Sequence, residues 1–209
     1  NQDARLISSR FALGVDTMNI IVEAGPSACT TSYKAMETID RFAWHMANVE
    51  GVEQVITLPM AAKQVNAGWN DGSPRWKVLP RDPDTLRQST QSFETDSGLL
   101  NADCSAIPVT VFTKDHKSTT IDRVVAETKK FRTENKAYEE GFAKKRDAAM
   151  AKAQESGEEY TTDQVNFRLA TGPLGVQAAT NDTVREKEHL ILWLLYGAVF
   201  VMCWVSFKS

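Results

Sequence analysis

The feature that most restricts this chain lies near its end. From Leu190 to Phe207 it reads LILWLLYGAVFVMCWVSF, eighteen consecutive positions without a charge. That is the length at which an apolar run reads as a membrane span rather than as a core segment. At 1.5 Å rise per residue such a helix reaches about 27 Å, against roughly 30 Å of hydrocarbon. Trp193 and Tyr196 near one end and Trp204 near the other suit two membrane interfaces, where amphipathic rings concentrate. The competing reading is a C-terminal core helix buried on all sides. A secretory signal peptide is not expected, because the run is C-terminal. Directly before it, NDTVREKEHL is charged and made of good helix formers, so a helix starting near Asn181 or earlier is expected to pass from water into lipid without a break. Charge alone assigns no orientation, since Arg185 and Lys187 on one side offset Lys208 on the other.

The rest has the composition of a globular domain. With 209 residues, 42% apolar and 24% charged, the chain can bury a core without metals or many crosslinks. A net charge of -3 and no local basic stripe leave nucleic acid without an electrostatic footprint. No P-loop, dinucleotide glycine fingerprint, HExxH or CxxC occurs. The carboxylates scatter over predicted helix surfaces and turns, and the one acid–base candidate, Asp115-His116-Lys117, is explained more simply as a strand-to-helix turn. No catalytic, cofactor-binding or metal-binding residue is therefore expected, nor an enzyme. Trp69 and Trp76, in AGWNDGSPRWKVLPR, are read as aromatic anchors of an irregular loop rather than as a ligand-stacking pair.

Periodicity divides the chain. Residues 1–17 read as a short helical lead-in with Leu6, Ile7, Phe11 and Leu13 as its apolar positions. MNIIVEA (18–24) is β-branched and stops at Gly25-Pro26, a strand signal. Ser32 can cap a helix to about Val49 with Met36, Ile39, Ala43 and Met46 on one face, Gly51 can end it, and VEQVITL (52–58) is a second strand. Residues 59–105 are punctuated by Gly, Pro, Asn and Asp and read as an insertion, with short helices near 60–66 and 84–92. AIPVTVFTK (106–114) is the third strand. Thr119 or Thr120 can cap a helix whose stripe is Ile121, Val124, Val125, Thr128 and Phe131. A Lys/Glu/Ala-rich helical extension covers about 134–160, and QVNFRLAT (164–171) is the fourth strand, stopped at Gly172-Pro173.

The tetrapeptide TIDR occurs twice, at 38–41 and 120–123, each time in the helix after a β-branched strand and with its isoleucine on the buried side. The registers differ, so the repeat is one of elements rather than of letters. Two βαβ halves in tandem give an α+β fold, the ferredoxin-like βαββαβ arrangement over residues 18–172, followed by a connector and transmembrane helix over 173–209. That fold hosts many functions and names none.

Of the three cysteines, Cys203 lies in the apolar run as a small apolar residue. Cys29 in AGPSACTTS and Cys104 in LNADCSAIP flank predicted strands. They pair naturally if the domain is extracytoplasmic and remain two thiols otherwise.

Three stretches carry a resemblance: GVEQVITLPMAAKQVNAGWNDGSPRWKVLPR, SGLLNADCSAIPVTVFTKDHKSTTIDRVVAETKKF, and NFRLATGPLGVQAATNDTVREKEHLILWLLYGAVFVMCWVSF. Together they resemble the second large extracytoplasmic (porter) loop of a resistance-nodulation-division (RND) superfamily exporter, in the MmpL-like hydrophobe and lipid exporter branch. The resemblance implies a porter domain on the periplasmic side of a bacterial inner membrane, its last helix running towards the cytoplasm. It also implies that Cys29 and Cys104 are periplasmic, which favours their disulfide. The implied partners are the bilayer around the C-terminal helix, the remaining parts of the same transporter and a hydrophobic or lipid-like substrate, with homo-oligomerisation left open. The alternative reading is a membrane-anchored periplasmic sensor or ligand-binding module.

Overall fold

The computed structural model describes residues 16–93, 95–135, 165–171 and 173–207. The expected lead-in helix, apart from its last two positions, and nearly all of the Lys/Glu-rich extension lie outside the described residues. Residues 16 and 17 are not helical but open the first strand, β1 (Asp16–Glu23).

β1 is followed by a one-turn helix α1 (Ala28–Thr31), then by α2 (Tyr33–Ala47) and β2 (Val52–Ile56). Next come α3 (Leu58–Gly68), α4 (Pro83–Gln91) and β3 (Ala106–Thr113). The chain continues through a helix α5 over 118–135, then β4 (Asn166–Thr171) and α6 (Pro173–Phe207). The protein is thus α+β, built on a four-stranded sheet of order β2-β3-β1-β4 in which all neighbours are antiparallel.

The long β1–β3 ladder runs unbroken from Asp16 opposite Thr113 to Glu23 opposite Ala106. Its alternation decides which face is covered. Met18, Ile20 and Val22 of β1 and Ile107, Val109 and Val111 of β3 are buried, while Ile21, Pro108 and Phe112 between them are half-buried. α2 contributes Phe42 and α5 contributes Phe131 to this core. With Phe167 of β4 they form an aromatic triangle whose ring centroids lie 5.1, 4.6 and 5.4 Å apart. Such tilted pairs add about 0.5–1.5 kcal/mol each beyond the area they bury.

Local chemistry fixes the helix starts. Ser32 accepts the Ala35 N–H at 3.1 Å, an N-cap that satisfies one of the orphan donors of α2. Thr57 accepts the Met60 N–H at 3.4 Å, and Pro59 fills the first turn of α3. α3 therefore begins at Leu58, earlier than the periodicity suggested, and β2 ends correspondingly sooner.

α5 corrects another expectation. Neither Thr119 nor Thr120 caps it, because the helix already begins at 118. The Asp115 carboxylate, a stronger acceptor than a hydroxyl, takes the Lys117 N–H at 3.3 Å and the Thr120 hydroxyl at 2.7 Å and starts the helix earlier.

The two TIDR segments share burial but not contacts. Ile39 and Ile121 are both fully buried. Asp40 pairs with Lys63 of α3 at 2.6 Å. Arg123 instead donates to the Glu50 carbonyl at 3.0 Å and pairs with the Glu50 carboxylate at 3.1 Å.

α6 begins two residues after β4, packs against β1 and β4, and continues unbroken through its charged first half into the apolar run. From Glu186 to Phe207, 22 residues, it is long and apolar enough to cross a membrane, and none of it is buried against the rest of the chain. The reading as a core helix buried on all sides is therefore overturned for this chain.

Candidate functional site

The structure brings Cys29 and Cys104 together as a disulfide, with Cα atoms 5.6 Å apart and a sequence separation of 75. Both are buried. The surrounding turns are tied by short backbone bonds, Ala24 N–H to the Ser105 carbonyl and Ser27 N–H to the Asp103 carbonyl, each 2.7 Å. Cys104 sits at φ 56° and Ser27 at φ 58°, left-handed conformations that L-residues adopt at a cost. Asp103 helps hold the turn: its carboxylate accepts from Ser105 Oγ at 2.8 Å and Asn101 Nδ2 at 2.6 Å, and these donors lower its pKa.

A cleft lies between α2, α3 and the loop that leads to α4. Its cavity is about 650 Å³, bounded by Tyr33, Glu37, Asp40 and Arg41 of α2, by Lys63 and Asn66 of α3, and by the loop from Trp76 to Asp82. A second groove of about 490 Å³ runs along the other side of α2 between Trp44, Val55 and Met60. Asp40, Arg41 and Lys63 border both. The Asp40–Lys63 ion pair, half-buried at both ends, therefore forms the ridge between them.

Asn66 sets the shape of the cleft. It is 5% exposed, and its Nδ2 donates to the carbonyls of Trp76 at 2.9 Å and Val78 at 3.0 Å. The loop is thereby pinned to α3 through its backbone. This corrects the anchor reading of the tryptophans, since Trp69 and Trp76 are 51% and 48% exposed. The loop is anchored instead by an amide that sequence reasoning passed over, while the Trp76 ring is free to face the cleft.

Most charges in the cleft are already engaged. Asp40 is held by Lys63, Glu37 accepts from the Tyr33 hydroxyl at 3.2 Å, and the Arg81 guanidinium lies 5.7 Å over the Tyr33 ring. Asp82 caps α4, and the Thr85 backbone N–H and hydroxyl lower its pKa. Arg41 and Lys77, both exposed, have no ion-pair partner among the described residues.

Among the described residues no group of three His, Cys, Asp or Glu side chains is arranged to hold a metal ion. Asp115 closes its turn, with its pKa lowered to about 2 by the Thr120 hydroxyl, the Lys117 side chain and the Lys117 N–H.

Fold and site together define a class: an α+β domain with an open, partly apolar cleft, joined to a helix with the length and composition of a membrane span. No protein family, curated protein or solved structure matches the chain.

Proposed function

We propose that this chain is the periplasmic porter domain, with the following membrane helix, of a proton-driven RND-type exporter of hydrophobic or lipid-like molecules in a bacterial inner membrane. The observation that carries the reading is α6, which leaves the last strand of the domain and exposes an uninterrupted apolar surface from Glu186 to Phe207. The strand order β2-β3-β1-β4, with β1 and β2 joined through α2 and both antiparallel to β3, supports the ferredoxin-like arrangement of porter domains.

In such a machine the domain forms part of the wall of a substrate path and moves against neighbouring domains. The residues that couple transport to protons belong to other membrane helices, since 190–207 contains no carboxylate. The domain binds and guides; it performs no chemistry on its cargo.

The test is the gene on either side of this segment, followed by efflux of a hydrophobic dye by the whole product under an imposed pH gradient. Several further apolar spans, one with acidic residues at mid-membrane, and efflux abolished by a protonophore are expected. A stop codon or a cytoplasmic signalling domain directly after Ser209 favours a membrane-anchored sensor and removes the exporter. Periplasmic placement makes its own demand: in denatured, non-reduced protein, Cys29 and Cys104 resist thiol labelling. Labelling of both in periplasmically exported chain overturns that placement or the pairing.

A further inference from the structure

We propose that the cleft between α2, α3 and the 76–82 loop binds a single-chain amphipathic anion, of the long-chain carboxylate class, with its head beside Arg41 and Lys77 and its chain along the Trp76–Pro80 wall. Three observations converge on that chemistry.

The first is shape. A concavity of about 650 Å³ falls in the ordinary range for small-molecule sites, which are apolar with a few placed polar groups. The wall is preformed rather than induced, because Asn66 fixes the Trp76 and Val78 carbonyls.

The second is apolar surface. Trp76 and Val78 stand half out of the protein, 48% and 51% exposed, beside buried Leu79 and Pro80. One exposed apolar side chain needs no explanation. Two that line a concavity with buried neighbours offer a chain somewhere to leave water.

The third is charge. The three carboxylates at the cleft are engaged by Lys63, the Tyr33 hydroxyl and the α4 N-terminus. Arg41 and Lys77 remain without an ion-pair partner among the described residues. A neutral hydrophobe leaves these two cations unused, and a free inorganic anion leaves the apolar wall unused. An amphipathic anion uses both. The single wall accommodates one chain rather than the pair of a phospholipid.

That such a molecule is transported cargo rests on the exporter reading; that it binds does not. The two are separable, because binding is read on this chain alone and efflux on the whole transporter.

The 209-residue chain is placed in nanodiscs of zwitterionic phospholipid and irradiated with palmitate carrying a mid-chain diazirine, and labelled peptides are mapped by mass spectrometry. Label is expected on the peptide holding Trp76 to Pro80. It is expected to fall about tenfold in the Arg41→Gln/Lys77→Gln double variant, the effect of losing charge-assisted pairing. Labelling of α6, which reports only acid dissolved in the bilayer, stays constant. The charge-preserving Arg41→Lys/Lys77→Arg variant retains the cleft label, which separates loss of charge from loss of fold. Label confined to α6, equal labelling by the methyl ester of the probe, or displacement by inorganic phosphate overturns the proposal.

Discussion

At the scale of single residues, the described carboxylates whose pKa is displaced are all lowered by donors that favour the charged form: Glu23 by Arg168, Asp82 by Thr85, Asp103 by Ser105, and Asp115 to about 2. A carboxyl group whose folded pKa is depressed adds stability above its unfolded value, near pH 4, and loses it as pH falls through the folded one. For Asp115 that window runs from about 4 down to about 2. Thr120→Val removes the donor with the largest effect on Asp115 while keeping the buried shape. The stability gap between wild type and Thr120→Val in urea melts is expected to be widest above pH 5 and to narrow steadily towards pH 2. A gap that stays constant across that range shows that the Thr120 hydroxyl does not set the Asp115 titration. Little of this was legible beforehand. Its place after β3 marks Asp115 as a turn residue, but its role in starting α5 depends on a three-dimensional bond from Thr120.

Among elements, the strands were the most legible. MNIIVEA is β-branched and AIPVTVFTK alternates, and burial alternates along both β1 and β3 because only one face of the sheet is fully covered. The start of α3 carried a signal too, Thr57 followed by Pro59, which the strand-like VEQVITL obscured. The cleft was not legible, since its parts meet across gaps that no local pattern spans: Asp40 to Lys63, and Asn66 to Trp76 and Val78. The turn between α2 and β2 gives the sharpest test at this scale. Gly51 holds φ +95°, and a Cβ there would come within 2.8 Å of the Thr120 methyl group. Gly51→Ala is expected to lower stability by about 1–2 kcal/mol through backbone strain alone, with the contact adding to it. Adding Thr120→Ser, which deletes that methyl, restores the second part but not the first. Unfolding free energies of the two single variants and the double variant check it, and a purely additive set shows that the contact carries no energy.

For the whole molecule, the question is how a domain with a conventional core relates to a helix that the core does not use. The apolar segment of α6 is exposed along its length, so its favourable environment is supplied from outside the chain. Leu195→Arg combined with Val199→Arg places two charges near its centre, each costing about 2.5–3.5 kcal/mol on insertion. The wild-type chain is expected to resist carbonate extraction from membranes and this variant to be released. Equal retention of both indicates attachment through the domain rather than through α6. The absence of a break in α6 has a mechanical meaning as well. Its 35 residues form a rod of about 52 Å, with one end seated against β1 and β4. Angular displacement at the seated end grows with distance along a rod. A rotation of the sheet by about 10° therefore sweeps the far tip of α6 through about 9 Å, close to one interhelical spacing. The same rod works in reverse, so crowding around its tip exerts torque on the strands.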